Sequence, residues 1–188
     1  MSLEKALLEV SDTLSSRGIR WVLVGSTASY LHGLEIAPKD LDIVVEAERV
    51  YEVDRLLASK FTVVRRVRYS SSGLYSSHFG VFSVHGVEVD IMADLEICRE
   101  YGCLKLVFDE VYAHSKTVTV GGAHVRLTPL EWQLVANVMI PGKEERVKAI
   151  LDALKTRGVN REALSSALKY APVEVRNLVS EIIREADV

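Results

Sequence analysis

Two aspartates stand close together at the head of an apolar stretch, where they would suit a divalent metal ion. Asp40 and Asp42 occupy positions i and i+2 around the start of residues 41–45, which read as a strand, so both carboxylates project from one face. Neighbouring carboxylates in a half-buried strand repel each other, and a cation between them removes that cost. Because Mg²⁺ prefers hard oxygen ligands and keeps substrate phosphates in its shell, the pair predicts a Mg²⁺ or Mn²⁺ site.

A third aspartate lies on a later stretch with the alternation of a strand. In residues 87–92 the apolar residues at odd positions share one face, and Asp90 lies on the other. If this strand lies beside the strand of the first two aspartates, three carboxylates meet. Three carboxylates can hold two metal ions about 3.5–4 Å apart, an arrangement used for in-line phosphoryl chemistry. Asp94 is a rival for the third position, near the end of the strand.

A glycine and a serine mark a candidate phosphate site. Gly25 and Ser26 follow the apolar run 21–24, and a helix is expected to begin at once. Free backbone N–H groups and the positive end of a helix dipole favour an anion at such a point. Gly25 would let a triphosphate approach the backbone, and Ser26 would offer its hydroxyl. Lys39 and Lys143 are candidate positive charges for the same phosphates.

Each of these features alone is typical of ordinary structure. Gly25 and Ser26 would form a strand-to-helix turn with a serine cap, the aspartate pair would be a solvated strand entry, and Asp90 would be an exposed acid. Their joint occurrence at this spacing favours an active site.

Together the residues resemble the signature of the DNA polymerase beta nucleotidyltransferase superfamily. That signature is Gly-Ser, then Asp-x-Asp after about a dozen residues, then a lone Asp on a later strand. Residues 21–94 look closest to its abortive-infection-type, toxin-like branch, in which alanine and His-Gly also precede Asp-x-Asp. The matching residues are Gly25, Ser26, Ala28, His32, Gly33, Asp40 and Asp42.

The resemblance implies transfer of a nucleoside monophosphate from an NTP, for instance ATP, to RNA, protein or a small molecule, with release of pyrophosphate. It implies that Asp40 and Asp42 ligate two metal ions, and that Asp90 ligates the catalytic ion and helps to deprotonate the acceptor. Gly25 and Ser26 would bind the β- and γ-phosphates. Two other hypotheses stay open: a non-catalytic protein that binds nucleotide or a partner, and a toxin-like enzyme that a partner chain controls.

The pattern of the chain predicts an α+β fold: a small mixed β-sheet core with flanking helices over residues 1–127, then a C-terminal helical bundle over 128–188. Thr128, Pro129 and Glu131 predict a capped start for the first helix of that bundle. The other predicted elements are helices at 3–14, 27–32 and 47–59, strands at 21–24, 41–45 and 61–67, hairpins at 75–92 and 117–127, and four helices after residue 128.

Composition limits the class of protein. A net charge of −3 is not that of a protein that coats nucleic acid non-specifically. With no apolar run of about 20 residues and no signal peptide, we expect no membrane contact and a cytoplasmic location. Cys98 and Cys103 are expected to be buried or half-buried thiols. Scarce asparagine and glutamine beside many charges suggest a thermophile.

Several further residues have alternative interpretations. Arg65, Arg66 and Arg68 would contact RNA or a substrate phosphate, or would protect an edge strand. His78 would line a cleft or be structural. The surplus of apolar faces in the last helices suggests packing on the preceding helices or on a second copy of the chain, in a homodimer; the residues concerned are Leu178, Val179, Ile182 and Ile183.

Overall fold

A mixed sheet of eight strands runs through the computed structural model, which describes residues 2–188. Seven strands follow the order β3-β4-β5-β2-β1-β8-β7, and β6 pairs with the outer part of β5. The strands are β1 (Trp21–Val24), β2 (Leu41–Val45), β3 (Thr62–Ser71), β4 (Tyr75–Val84), β5 (Val87–Arg99), β6 (Gly102–Lys105), β7 (Lys116–Val120) and β8 (Ala123–Leu127).

Helices cover both faces of this sheet, which confirms the predicted α+β class. They are α1 (Ser2–Ser15), α2 (Gly25–Leu31), α3 (Val50–Ala58), α4 (Phe108–His114), α5 (Leu130–Met139), α6 (Glu144–Arg157), α7 (Arg161–Lys169) and α8 (Val173–Glu185). None of the helices within residues 2–188 has the length and apolar character needed to cross a membrane.

The two faces of the sheet have separate apolar cores. On one face, α1 and α3 bury leucines such as Leu14 and Leu57 against Ile43 and Ile91. On the other face, the C-terminal helices pack around Trp132 against the opposite side chains of β1 and β2. Since alternate residues of a strand face opposite sides, one short strand such as β2 contributes to both cores.

Strand β5 is longer than predicted because a bulge lets it change faces. Asp94 has φ of 51° there, and the pairing with β4 shifts register between Ser76 and His78. Before the bulge Ile91 faces the α1–α3 core, and after it Leu95 and later odd residues face the C-terminal helices. A bulge adds one residue, so the residues that face a given side change from odd to even positions or the reverse. A search for simple alternation therefore ends at the bulge, and it missed the second half of β5 and the strand β6 that pairs with it.

The predicted capping box at the start of α5 is wrong. The helix begins at Leu130, and the Thr128 hydroxyl donates a hydrogen bond to the carbonyl of Leu23 at 2.9 Å instead of capping it. The Glu131 carboxylate accepts a hydrogen bond from the backbone N–H of Asn160 at 2.7 Å. Both side chains join α5 to other elements, and tertiary partners therefore replaced the local ones.

The cysteines were also predicted wrongly as thiols. Cys98 and Cys103 face each other on β5 and β6 and form a disulfide. They are direct cross-strand partners, so the short hairpin between them brings their sulfur atoms together.

The last helix packs on its predecessors through part of its apolar face. Val179 is fully buried, and Ile182 and Ile183 are half-buried against the same core, as predicted. Leu178 is the exception, with 45 % of its surface exposed. A homodimer through this helix stays a prediction.

Candidate active site

The sheet places the second and third aspartates side by side. Strands β2 and β5 run parallel, and Asp42 and Asp90 are direct partners in their register. Neighbouring strands lie about 4.8 Å apart, so the two side chains, which lie on the same face, share one small volume. The structure thus places Asp90 beside Asp42, while its role as a metal ligand stays a prediction. Asp94 is exposed at the bulge, which turns it away from that face.

Gly25 lies against Asp42 so closely that no other residue fits. Val24, the last residue of β1, pairs with Asp42. A Cβ built on Gly25 would lie 2.0 Å from Oδ2 of Asp42, and the glycine has φ of 66°. Both the close approach and the left-handed backbone require glycine at this turn.

The two residues after Gly25 hold the aspartates in place. The Ser26 hydroxyl donates to Oδ1 of Asp40 at 3.2 Å, and the Thr27 hydroxyl donates to the backbone carbonyl of Asp40 at 2.6 Å. The backbone N–H of Ser26 donates to the carboxylate of Asp42. The first donors of α2 therefore serve the acids, whereas we had expected them to be free for a phosphate.

Burial and mutual repulsion raise the pKa values of two of these acids. Burial, with a smaller contribution from the charge of Asp40, raises the pKa of Asp42 to about 6, while Arg146 and Lys143 act in the opposite direction. Burial, followed by the charge of Asp42, raises the pKa of Asp90 to about 7. Oδ1 of Asp90 is buried without a hydrogen-bond partner among the described residues. The site therefore concentrates carboxylates with little internal compensation.

Positive side chains line the same cleft as the aspartates. A cleft of about 680 Å³ opens in front of the aspartates, and Lys39, Lys143 and Arg146 line it together with Gly25 and Ser26. Lys143 lies at the start of α6 and Arg146 one turn later, so the helical tail supplies both charges. Both lysines predicted from the sequence, Lys39 and Lys143, thus lie in the cleft with the aspartates. Arg146 was not predicted, although it lies three residues after Lys143.

A buried polar network holds α2 against the start of α5. His32 shares a hydrogen bond of 2.9 Å with the carbonyl of Thr128, and Gln133 donates to the same carbonyl at 3.0 Å. The Ser29 hydroxyl donates to the amide oxygen of Gln133. Burial lowers the pKa of His32, which keeps the ring neutral. The histidine of the motif is therefore structural: it fixes the helix that follows Gly25.

Two other predictions about side chains are settled by contacts. His78 lies outside the cleft, with Nδ1 at 3.0 Å from the hydroxyl of Tyr51, and is structural. Arg66 forms an ion pair with Asp54 on α3. Arg65 lines the cleft, as does Tyr75 on β4. No local pattern marks Tyr75, because its place depends on the β4–β5 register.

The sequence profile of the aminoglycoside-2''-adenylyltransferase family matches residues 6–156, which include every residue of this site. The chain belongs to this family. It is therefore a nucleotidyltransferase, as the motif predicted. A search of curated proteins found no match.

Solved structures share the fold. A protein from Thermotoga maritima with a provisional nucleotidyltransferase assignment is 29 % identical, with a TM-score of 0.63 over 80 % of this chain and 91 % of its own. ANT(2'')-Ia in complex with adenylyl-2''-tobramycin is 11 % identical, with a TM-score of 0.54 over 91 % of this chain and all of its own. The lincosamide adenylyltransferase LnuA, bound to lincomycin, is 16 % identical, with a TM-score of 0.51 over 81 % and 96 %. The narrower resemblance to the abortive-infection-type branch stays a prediction.

Proposed function

We propose that this nucleotidyltransferase moves AMP from ATP to a hydroxyl group of a small molecule, with divalent metal ions bound by Asp40, Asp42 and Asp90. The observation that carries the proposal is the register of Asp42 with Asp90 beside Gly25, in a cleft that Lys143 and Arg146 also line. Acids for a cation and positive side chains for a triphosphate thus line one cleft. We favour a small-molecule acceptor over RNA or protein because two solved structures with this fold contain an antibiotic, adenylylated tobramycin in one and lincomycin in the other.

The donor set fits Mg²⁺ or Mn²⁺. All three candidate ligands are carboxylates, which hard cations prefer, and Oδ1 of Asp90 is buried with no hydrogen-bond partner within residues 2–188. Burial, and after it the charge of the neighbouring acids, raises the pKa values of Asp42 and Asp90, and a bound cation would favour the ionised form of both. When bound, such ions stabilise the charge that develops on the transferred phosphoryl group and its leaving group.

The protein's own groups can be assigned to the substrates by position. Lys39, Lys143 and Arg146 would bind the triphosphate. The Ser26 hydroxyl, which donates to Asp40 in this structure, would turn to a phosphate oxygen once a cation satisfies that acid. Gly25 would keep the approach to Asp42 clear.

The transfer itself requires one proton acceptor. The hydroxyl oxygen of the acceptor forms a bond to the α-phosphorus, the bond between that phosphorus and the β-bridging oxygen breaks, and pyrophosphate leaves. Asp90 would take the hydroxyl proton, because it lines the cleft beside Asp42 and its carboxylate would be ionised once a cation is bound.

The test is transfer of labelled nucleotide, with each NTP in turn, to tobramycin, lincomycin and a mixture of small metabolites in the presence of Mg²⁺ or Mn²⁺. We expect ATP to be the donor, and Asp90→Asn to reduce kcat by at least about 100-fold with a smaller effect on ATP affinity. Glu88→Gln is the matched control, because Glu88 is exposed two residues away on the same strand face. Nucleotide binding without transfer to any acceptor would favour the binding-protein hypothesis instead.

A further inference from the structure

Four residues form a single row across the sheet on the face of the cleft. Arg65 on β3 pairs with Val81 on β4, Val81 pairs with Asp90 on β5, and Asp90 pairs with Asp42 on β2. With strands about 4.8 Å apart, Asp42 lies one strand from Asp90, and Arg65 lies two strands away on the opposite side. The turn at Gly25 follows β1, which pairs with β2 on the side away from β5, so Arg65 is at the other end of the site.

Irregularities in β3 turn Arg65 toward the cleft. The pairing of β3 with β4 shifts register on both sides of Arg65. Beyond it, Arg66 and the buried Val67 both contact α3, where the Asp54 carboxylate accepts hydrogen bonds from the Arg66 guanidinium and from the backbone N–H of Val67. Asp54 is only 4 % exposed. Arg65 and Arg66 therefore lie on opposite sides of the sheet.

The guanidinium of Arg65 is positioned without being neutralised. Its Cζ lies 5.1 Å from the centre of the Phe79 ring, so the aromatic side chain supports it. Among residues 2–188 it has no carboxylate within ion-pair distance, and its Nε is buried without a hydrogen-bond partner. A buried, unpartnered N–H of a cation is costly unless a ligand completes it.

Apart from the aspartates and the positive side chains already named, the lining of the cleft is apolar or neutral. Its apolar part includes Phe79, Met92, Leu95 and Trp132. In the part of the chain that the structure describes, the cleft has no carboxylate other than the three aspartates. Cations bound by those aspartates would leave no acid to receive an amino group of an acceptor.

From this charge distribution we propose that Arg65 determines acceptor specificity, and that the acceptor is a hydroxylated small molecule with an apolar body and a carboxylate or phosphate group. The inference rests on the proposed function, because it takes Asp90 as the boundary between nucleotide and acceptor. This acceptor specificity would differ from that of ANT(2'')-Ia, whose structure contains adenylyl-2''-tobramycin, because Arg65 would repel a polycationic aminoglycoside at this end of the cleft.

The experiment measures binding of four compounds that share one benzyl alcohol. They are 4-(hydroxymethyl)benzoate, 4-(hydroxymethyl)phenyl phosphate, the neutral 1,4-benzenedimethanol and the cationic 4-(aminomethyl)benzyl alcohol. Each is titrated into the protein with Mg²⁺ and a methylene-bridged ATP analogue, and ligand-observed NMR gives Kd. We expect at least one anion to bind about tenfold tighter than the neutral compound, and the cation to bind most weakly. The better anion identifies carboxylate or phosphate as the recognised group.

Two variants test the residue. Arg65→Gln should abolish the preference for anions and leave the affinity for the ATP analogue within about twofold, whereas Arg68→Gln, exposed on the same strand and outside the cleft, should change neither. The proposal is overturned if the four compounds show no preference for anions, or if Arg65→Gln weakens analogue binding instead. Failure of the analogue to bind to the wild-type protein would refute the proposed function itself, whereas a bound analogue without preference refutes only the role of Arg65.

Discussion

Gly25 lies in direct contact with the side chain of Asp42: a methyl group on the glycine would lie 2.0 Å from the Oδ2 atom of the aspartate. Because of this contact, the turn between β1 and α2 can lie against Asp42 on β2 only if its first residue has no side chain. It also means that a substitution at Gly25 acts first on the metal ligand and only then on any phosphate.

Gly25→Ala should therefore damage both stability and metal binding. The methyl group displaces the Asp42 carboxylate, and φ of 66° adds about 1–2 kcal/mol of backbone strain. Thermal unfolding and Mn²⁺ titration measure the two effects. Gly18→Ala is the control, since Gly18 has φ of 62° and open space around it; equal effects at both positions would contradict the contact.

Asp90→Asn should stabilise the metal-free protein at alkaline pH. Because burial raises the pKa of Asp90 from 3.8 to about 7, the folded protein holds a proton that the unfolded chain releases near pH 4. The free-energy cost of holding this carboxylate ionised in the folded protein is therefore absent below about pH 4 and grows as pH rises to about 7. If the amide recovers about 1 kcal/mol, the Tm at about pH 8 rises by about 2–4 °C, and the gain shrinks toward pH 4. A gain that grows on acidification would show the wrong sign.

Metal affinity should depend strongly on pH. A cation must displace protons from Asp42 and Asp90, whose pKa values are about 6 and about 7. We expect the Kd for Mn²⁺ to fall at least about tenfold between about pH 5.5 and about pH 7.5, with proton release seen in calorimetry in buffers of different ionisation enthalpy. Asp42→Asn should weaken binding at every pH and flatten the profile. A flat profile in the wild-type protein would place the metal elsewhere.

Lys143→Gln and Arg146→Gln should each weaken ATP binding by about five- to tenfold, about 1–1.4 kcal/mol. Each should also move the pH profile of Mn²⁺ binding to higher pH, because both cations lower the pKa of Asp42. Lys148→Gln removes the same charge from an exposed position on α6 outside the cleft. If Lys148→Gln has an equal effect on ATP affinity, general electrostatics and not contact is responsible.

Local pattern was enough for most elements. The predicted strands at 21–24 and 41–45 match β1 and β2, and the four C-terminal helices are present. In these segments the apolar residues repeat with the period of a strand or a helix, so the sequence alone indicates the type of element. Strand β6, helix α4 and the far half of β5 were missed. The bulge at Asp94 breaks the period, and nothing local indicates which face follows it.

The sequence by itself determined the chemistry: glycine before a helix, paired aspartates at a strand head, a third aspartate on a later strand, and the superfamily these resemble. Those features are local, because residue type and alternation decide them. Tertiary structure decided which groups meet. The parallel register of β2 and β5 placed Asp90 beside Asp42. The first turn of α6 and the residue before it brought Arg146 and Lys143 into the same cleft. The irregular pairing of β3 placed Arg65 at the far end of that cleft. These contacts depend on strand order and register, which arise from packing of the whole sheet between its two helical layers.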